Sequence, residues 1–265
     1  QIPPAKLWLS VIDQSNLQDP EDVLKSGARA GLCKALGREW RELENQKDAH
    51  SKQLIFGSDY SWDQKKSIIV EEIFAADEQN EIFRIQDLRY AVGLQKLARP
   101  LERQILRTRP IILLTGGTRG VTAEIAKAFA ERGPCYFLLL AQTAPRKNRL
   151  DEAAERAILR AKLKAEGSFT PVKLEQALMP LKKSEEARQT IEYLRNLGSK
   201  ARFFQVDLSD DDAVADLISQ VLEHIGRIDI AIHGAGIEQS KRLQEKNLND
   251  FMRVYAPKAR GALAL

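Results

Sequence analysis

The chain has 265 residues and a mass of 29.9 kDa, with 43% hydrophobic and 29% charged residues and a mean hydropathy of −0.36. That balance belongs to a globular chain with one large domain or two small ones and enough length to bury a core. The longest apolar run, residues 135–141, is too short to cross a bilayer as a helix, and 41 Lys and Arg against 37 Asp and Glu leave a formal charge of only +4. The basic residues are interleaved with acids, as in Arg38-Glu39-Trp40-Arg41-Glu42. A concentrated basic stripe with regular aromatics is missing, which argues against nucleic acid as a partner, and no membrane partner is expected. Cys33, Cys135 and the 3 histidines are scattered, so neither a disulfide framework nor a metal site is expected, and a reducing, cytoplasmic compartment is the default. The opening Gln1-Ile2-Pro3 reads as a cut from something longer.

In chain order, residues 7–11 read as a strand. Residues 20–40 read as a helix, with Pro20 in the first turn, Glu21 and Asp22 after it, and apolar positions at Val23, Leu24, Leu32 and Leu36. Residues 68–70 and 82–85 are strand candidates, and residues 95–109 form a basic connector. From Pro110 the texture changes. Ile111-Ile112-Leu113-Leu114 is a short, wholly apolar run, as expected of a parallel strand covered on both faces. A helical pattern follows on Ala123, Ile125, Ala126, Phe129 and Ala130, then a second strand at 136–141. Residues 145–200 are highly charged and helical in pattern. Acids precede bases on 151–164 as on a solvated helix, and Pro171 and Pro180 are expected to break the stretch into pieces. A strand at 201–206, a helix at 211–224 and a strand at 228–232 complete an alternation that predicts a parallel sheet with helices on both faces.

The sharpest local signal is Thr115-Gly116-Gly117-Thr118-Arg119-Gly120-Val121, between a buried strand and a helix. Glycines there allow positive φ and close approach of a ligand to the backbone. The helix that follows directs its free N–H groups and partial positive charge at the turn, as a pyrophosphate requires. The Thr-Gly-x-x-x-Gly spacing is the short-chain variant of a dinucleotide-binding turn. A third glycine is usual two residues after Gly120, and Thr122 stands there. The second strand should end at the adenosine ribose, where an acid would bind both hydroxyls and repel a 2′-phosphate. It ends instead at Ala141-Gln142-Thr143, with Arg119, Arg146 and Lys147 nearby, so NADPH is preferred to NADH. Asp207 and Leu208 end the next strand, where a carboxylate can meet the adenine amine. His233-Gly234-Ala235-Gly236 end the one after, where small residues let a nicotinamide ribose lie on the backbone. His233 reads as a strand-end residue rather than a base.

With these residues in order, the sequence resembles the ketoreductase domains of polyketide and polyunsaturated fatty acid synthases, within the short-chain dehydrogenase/reductase superfamily. The resemblance rests on Thr115–Val121, on Val206-Asp207-Leu208, on residues 232–237, and on residues 250–261, similar to the segment that carries the family's lysine, here Lys258. It extends more weakly to residues 6–9, 30–40, 81–84 and 89–90, similar to the family's structural subdomain. The implied fold is α/β with two Rossmann-like subdomains. One is a degenerate structural half, residues 1–109. The other is a nucleotide-binding half, residues 110–265, with a charged helical insert at 145–200 and an incomplete C-terminal end.

The implied activity is NADPH-dependent reduction of a β-ketoacyl group, held by phosphopantetheine on an acyl carrier protein, to β-hydroxyacyl, among neighbouring synthase domains. The implied catalytic residue is Lys258. The implied cofactor-binding set is Thr115, Gly116, Gly117, Thr118, Arg119, Gly120, Val121, Gln142, Asp207, Leu208, His233, Gly234, Ala235 and Gly236. The family's serine and tyrosine are expected after Leu265. None of Tyr60, Tyr90, Tyr136, Tyr193 and Tyr255 is followed four residues later by Lys or Asn, and Tyr255 reads as a helix residue. Glu238-Gln239-Ser240 stand where a Leu-Asp-Asp tripeptide would mark stereochemical class, so that outcome is not predicted. Rival readings are an inactive ketoreductase-like scaffold, a free-standing dehydrogenase with an N-terminal extension, and a helical interaction protein built on residues 145–200.

Overall fold

A computed structural model describes residues 8–13, 16, 18–42, 50–75, 77–96 and 108–265. Most of the expected connector at 95–109 lies outside the described residues. The chain divides into two compact units, residues 1–102 with 240–246, and residues 103–239 with 247–265.

The first unit runs β1 (Trp8–Asp13), α1 (Pro20–Glu42), β2 (His50–Phe56), α2 (Trp62–Phe74), β3 (Glu81–Ile85) and β4 (Leu88–Ala91). The sheet order is β1-β2-β3-β4, with β1, β2 and β3 parallel and β4 antiparallel to β3. The helix expected at 20–40, the strand at 82–85 and the closing hairpin at Arg89-Tyr90 are all present.

The strand expected at 68–70 is instead the middle of α2. Ser61 and Gln64 close a reciprocal capping box at its start, with Ser61 N–H donating to Gln64 Oε1 at 2.8 Å. Ile68 and Ile69 pack on the cluster of Leu54, Phe56, Tyr60 and Ile82, so the cap and a helical apolar face outweigh the β-branched run.

Strand β2 has no counterpart in the sequence reading because Ser51, Lys52 and Gln53 look like solvent residues, yet all three are buried. Each finds a buried partner: the Ser51 hydroxyl donates to Cys33 O, Gln53 Nε2 to Ser26 O at 3.2 Å, and Lys52 Nζ to Glu72 Oε2 at 3.2 Å.

The second unit runs β5 (Ile111–Thr115), α3 (Gly120–Arg132), β6 (Tyr136–Ala141), α4 (Glu152–Ala165), α5 (Pro171–Asn196), β7 (Lys200–Gln205), α6 (Asp211–Ile225), β8 (Ile230–His233) and α7 (Leu248–Tyr255). A π-helical turn, Ala256–Arg260, continues α7. Its sheet is parallel throughout, in the order β7-β6-β5-β8. Ile112, Leu114, Phe137 and Leu139 face one helical layer, and Leu113, Leu138 and Leu140 the other. The chain therefore reverses its direction of spread beside β5, which opens a crevice at the C-terminal ends of the strands.

Pro180 does not break the charged stretch. It lies exposed inside α5, whose buried Leu174, Leu178, Ala187, Ile191 and Leu194 hold one continuous helix against the core. Pro171 starts that helix at its first turn, behind the N-cap Thr170. Nor is the stretch uniformly solvated: α4 buries no residue, whereas the C-terminal part of α5 is a core helix.

Candidate active site

The turn between β5 and α3 is built by its glycines. Gly116 has φ +70°, and a Cβ there would lie 3.0 Å from Ala235 Cα. A Cβ on Gly117 would lie 2.7 Å from Leu114 Cβ, so this glycine lets the turn sit down on the core. Gly120 has φ +60° and opens onto free space. No side chain caps α3 and no acid stands in its first turn, so the leading N–H groups and the positive helix end are open to an anion.

Thr122, in the place of the usual third glycine, is buried against β8. A Cβ on Gly234 would lie 3.0 Å from Thr122 Cβ, so the close helix–strand approach is preserved by putting the glycine on the opposite partner.

A cleft of about 1270 Å³ opens over this turn. Gly116, Thr118, Arg119, Gly120 and Val121 form one wall, Gln142 and Leu208 another, and Gly234, Ala235 and Gly236 a third. Thr115, Asp207 and His233 act at the strand ends. The Thr115 hydroxyl accepts the N–H groups of Gly234 (3.2 Å) and Ala235 (3.3 Å) and lies 2.8 Å from His233 Nδ1. The Asp207 carboxylate accepts the Ser209 N–H at 2.9 Å and its hydroxyl at 2.7 Å, and these two bonds hold its pKa below the usual range. Lys258 reaches the same strand end from the π-helical turn, where its stem passes over Gly236: a Cβ there would lie 2.7 Å from Lys258 Cε.

A sequence profile of the KR domain matches residues 111–265, from the first residue of β5 through the Lys258 segment. The chain belongs to the KR domain family. Polyketide synthase PksL of Bacillus subtilis is 26% identical over 254 residues, covering 92% of this chain and 5% of that one. A polyunsaturated fatty acid synthase chain of a Thraustochytrium species is 23% identical over 269 residues, covering 92% of this chain and 9% of that one. Among solved structures, a ketoreductase domain from the bacillaene assembly line shares the fold with a TM-score of 0.68 at 20% identity, covering 98% of this chain and 50% of that one. The KR domain thus has its likeness in multidomain synthases, and it spans only a small share of those two synthase chains.

Within this ketoreductase domain the cationic surroundings differ from the sequence reading. Arg146 pairs with Glu155 at 3.2 Å, away from the cleft wall. The wall instead receives Lys183 from α5, half-buried, and the exposed Arg119; neither has an ion-pair partner among the described residues. No sequence spacing marks Lys183, because it reaches the cleft only through the continuity of α5 across Pro180. Glu186, one turn further on, borders the same wall. The loop after β6 is fixed by Glu185, which accepts the Leu150 N–H at 3.0 Å and the Arg188 guanidinium. That guanidinium, helped by Gln189 and the Leu150 N–H and opposed by partial burial, holds the carboxylate at about 2. Tyr255 ends α7 with its ring stacked on Phe251 at 5.4 Å, as a helix residue would be.

Proposed function

We propose that this domain reduces the β-keto group of an acyl chain held as a phosphopantetheine thioester on an acyl carrier protein, with NADPH as reductant, inside a polyketide or polyunsaturated fatty acid synthase. The observation that carries the reading is that the glycine turn with its uncapped helix and the small-residue end of β8 meet in one cleft, with the Lys258 stem lying against Gly236 of that end.

The residues fit a nicotinamide dinucleotide. The first turn of α3 and the open face of Gly120 suit a pyrophosphate, and Gln142, rather than an acid, borders the ribose position. Arg119 and Lys183, without ion-pair partners among the described residues, offer two cations for a 2′-phosphate, and Glu124 and Glu186 on the cleft lining would oppose it. When bound, the cofactor supplies hydride. Gly234, Ala235 and Gly236 let its ribose approach the backbone, and the Lys258 ammonium places a positive charge where an alkoxide develops and would favour the ionised form of an adjacent acid. Tyr60 and Tyr193 are committed elsewhere, the first accepting the Asp87 N–H at 2.8 Å and the second donating to Glu131 at 2.8 Å.

The test is NADPH oxidation by the native polypeptide with a β-ketoacyl thioester, followed by identification of the β-hydroxy product. The reading predicts stoichiometric conversion that is lost in Lys258→Met. Tight NADPH binding with no conversion of any β-ketoacyl thioester supports instead a nucleotide-binding scaffold within a synthase.

A further inference from the structure

We propose that His233 is a positioning residue for Lys258, acting through a fixed tautomer that latches the lysine-bearing turn to the end of β8. The inference rests on the reading of Lys258 given above.

The geometry is closed at every atom. His233 Nε2 lies 3.0 Å from the Lys258 carbonyl oxygen, which carries no proton, so Nε2–H is the donor. The neutral ring then presents Nδ1 as an acceptor. The Thr115 hydroxyl, 2.8 Å away, has its lone pairs engaged by the Gly234 and Ala235 N–H groups and its proton free to donate. Thr115 and His233 are register partners across β5 and β8, so the relay starts from paired strand ends. It ends on a π-helical turn, a rare geometry found frequently at functional sites.

The same turn is pressed from other sides. A Cβ on Gly261 would lie 2.8 Å from Leu208 O and 3.6 Å from His233 Cε1, and Gly236 leaves room for the Lys258 stem. The Lys258 backbone is therefore fixed by one side-chain bond and its stem by one bare glycine. Among the described residues, its ammonium is approached by Glu238, at a loose 3.9 Å. The imidazole itself does not line the cleft, and its removal frees a turn that borders the cleft only at Pro257.

Two variants separate this role from a merely structural one. In His233→Gln the side-chain amide can still reach the Lys258 carbonyl, whereas in His233→Asn it reaches only as far as Thr115. The experiment uses the native polypeptide and reads hydrogen exchange over residues 256–261, thermal midpoint, and the kinetics of NADPH-dependent β-ketoacyl thioester reduction. In His233→Asn, exchange over 256–261 rises about tenfold and kcat falls about tenfold, with KM for NADPH within about twofold, the scale of one lost hydrogen bond. His233→Gln restores both at an equal thermal midpoint. Unchanged exchange in His233→Asn, or equal losses in the two variants, overturns the latch. A wild-type protein that reduces no β-ketoacyl thioester overturns the functional reading instead, and the exchange comparison still decides whether the latch exists.

Discussion

Gly116 and Gly120 both have positive φ, yet their surroundings assign them different roles. An added methyl at Gly116 meets the Ala235 backbone at 3.0 Å and must push the turn away from β8, whereas at Gly120 it meets nothing. Gly116→Ala is therefore expected to cost about 2–3 kcal/mol and to abolish nucleotide binding. Gly120→Ala is expected to cost only about 1 kcal/mol of backbone strain, its methyl intruding on the open face proposed for the pyrophosphate rather than on the fold. Denaturation midpoints and an NADPH titration of the two variants check this, and equal losses of stability would contradict the division of roles. The glycines and strand-end residues of this site were legible in the sequence because their spacing is local. The exchange of bulk between Thr122 and Gly234 was not, because it joins residues 112 positions apart and changes nothing in either local pattern. Lys183 escaped for a similar reason: a lysine in a charged stretch carries no mark of the cleft it borders.

At the scale of elements, β5 and β6 were legible because both are apolar on both faces, and α5 and α6 because each opens with a capping side chain. The first unit was harder to read. Its strand β2 buries a serine, a lysine and a glutamine, and α2 contains a run of β-branched residues that local propensity assigns to a strand.

Both anomalies meet at Glu72. Burial alone would raise this carboxyl, but hydrogen bonds from Arg89, Lys52 and Arg84 outweigh it and hold it at about 2. The folded value is depressed, so the stabilisation is full above the ordinary carboxylate range and is lost as pH falls from about 5 toward 2. Glu72→Gln leaves three cations facing a neutral group. It should cost about 3 kcal/mol or more at pH 7, with the gap from wild type closing as pH approaches 2. Urea midpoints across that range test the sign, and a gap that stays constant with pH would contradict it.

At the scale of the molecule, the two sheets share a plan of parallel strands linked by helices, and the difference between them is functional. The first unit spends its central strand on a buried ion network and closes with an antiparallel hairpin. The second keeps a glycine turn, an uncapped helix and a small-residue strand end around one large cleft. Among the described residues no helix is long and apolar enough to cross a membrane.

Membership of the KR domain family makes the second unit part of an oxidoreductase, and NADPH is the reductant proposed for it. The decisive measurement is a calorimetric titration of the native polypeptide with NADPH and, separately, with NADH. NADPH should bind at one site and at least about tenfold more tightly than NADH. That margin should collapse in Lys183→Ala, as expected for the loss of a charge-assisted contact worth about 1.5 kcal/mol or more. Absence of saturable binding of either dinucleotide, or equal affinities unaffected by Lys183→Ala, would contradict the account.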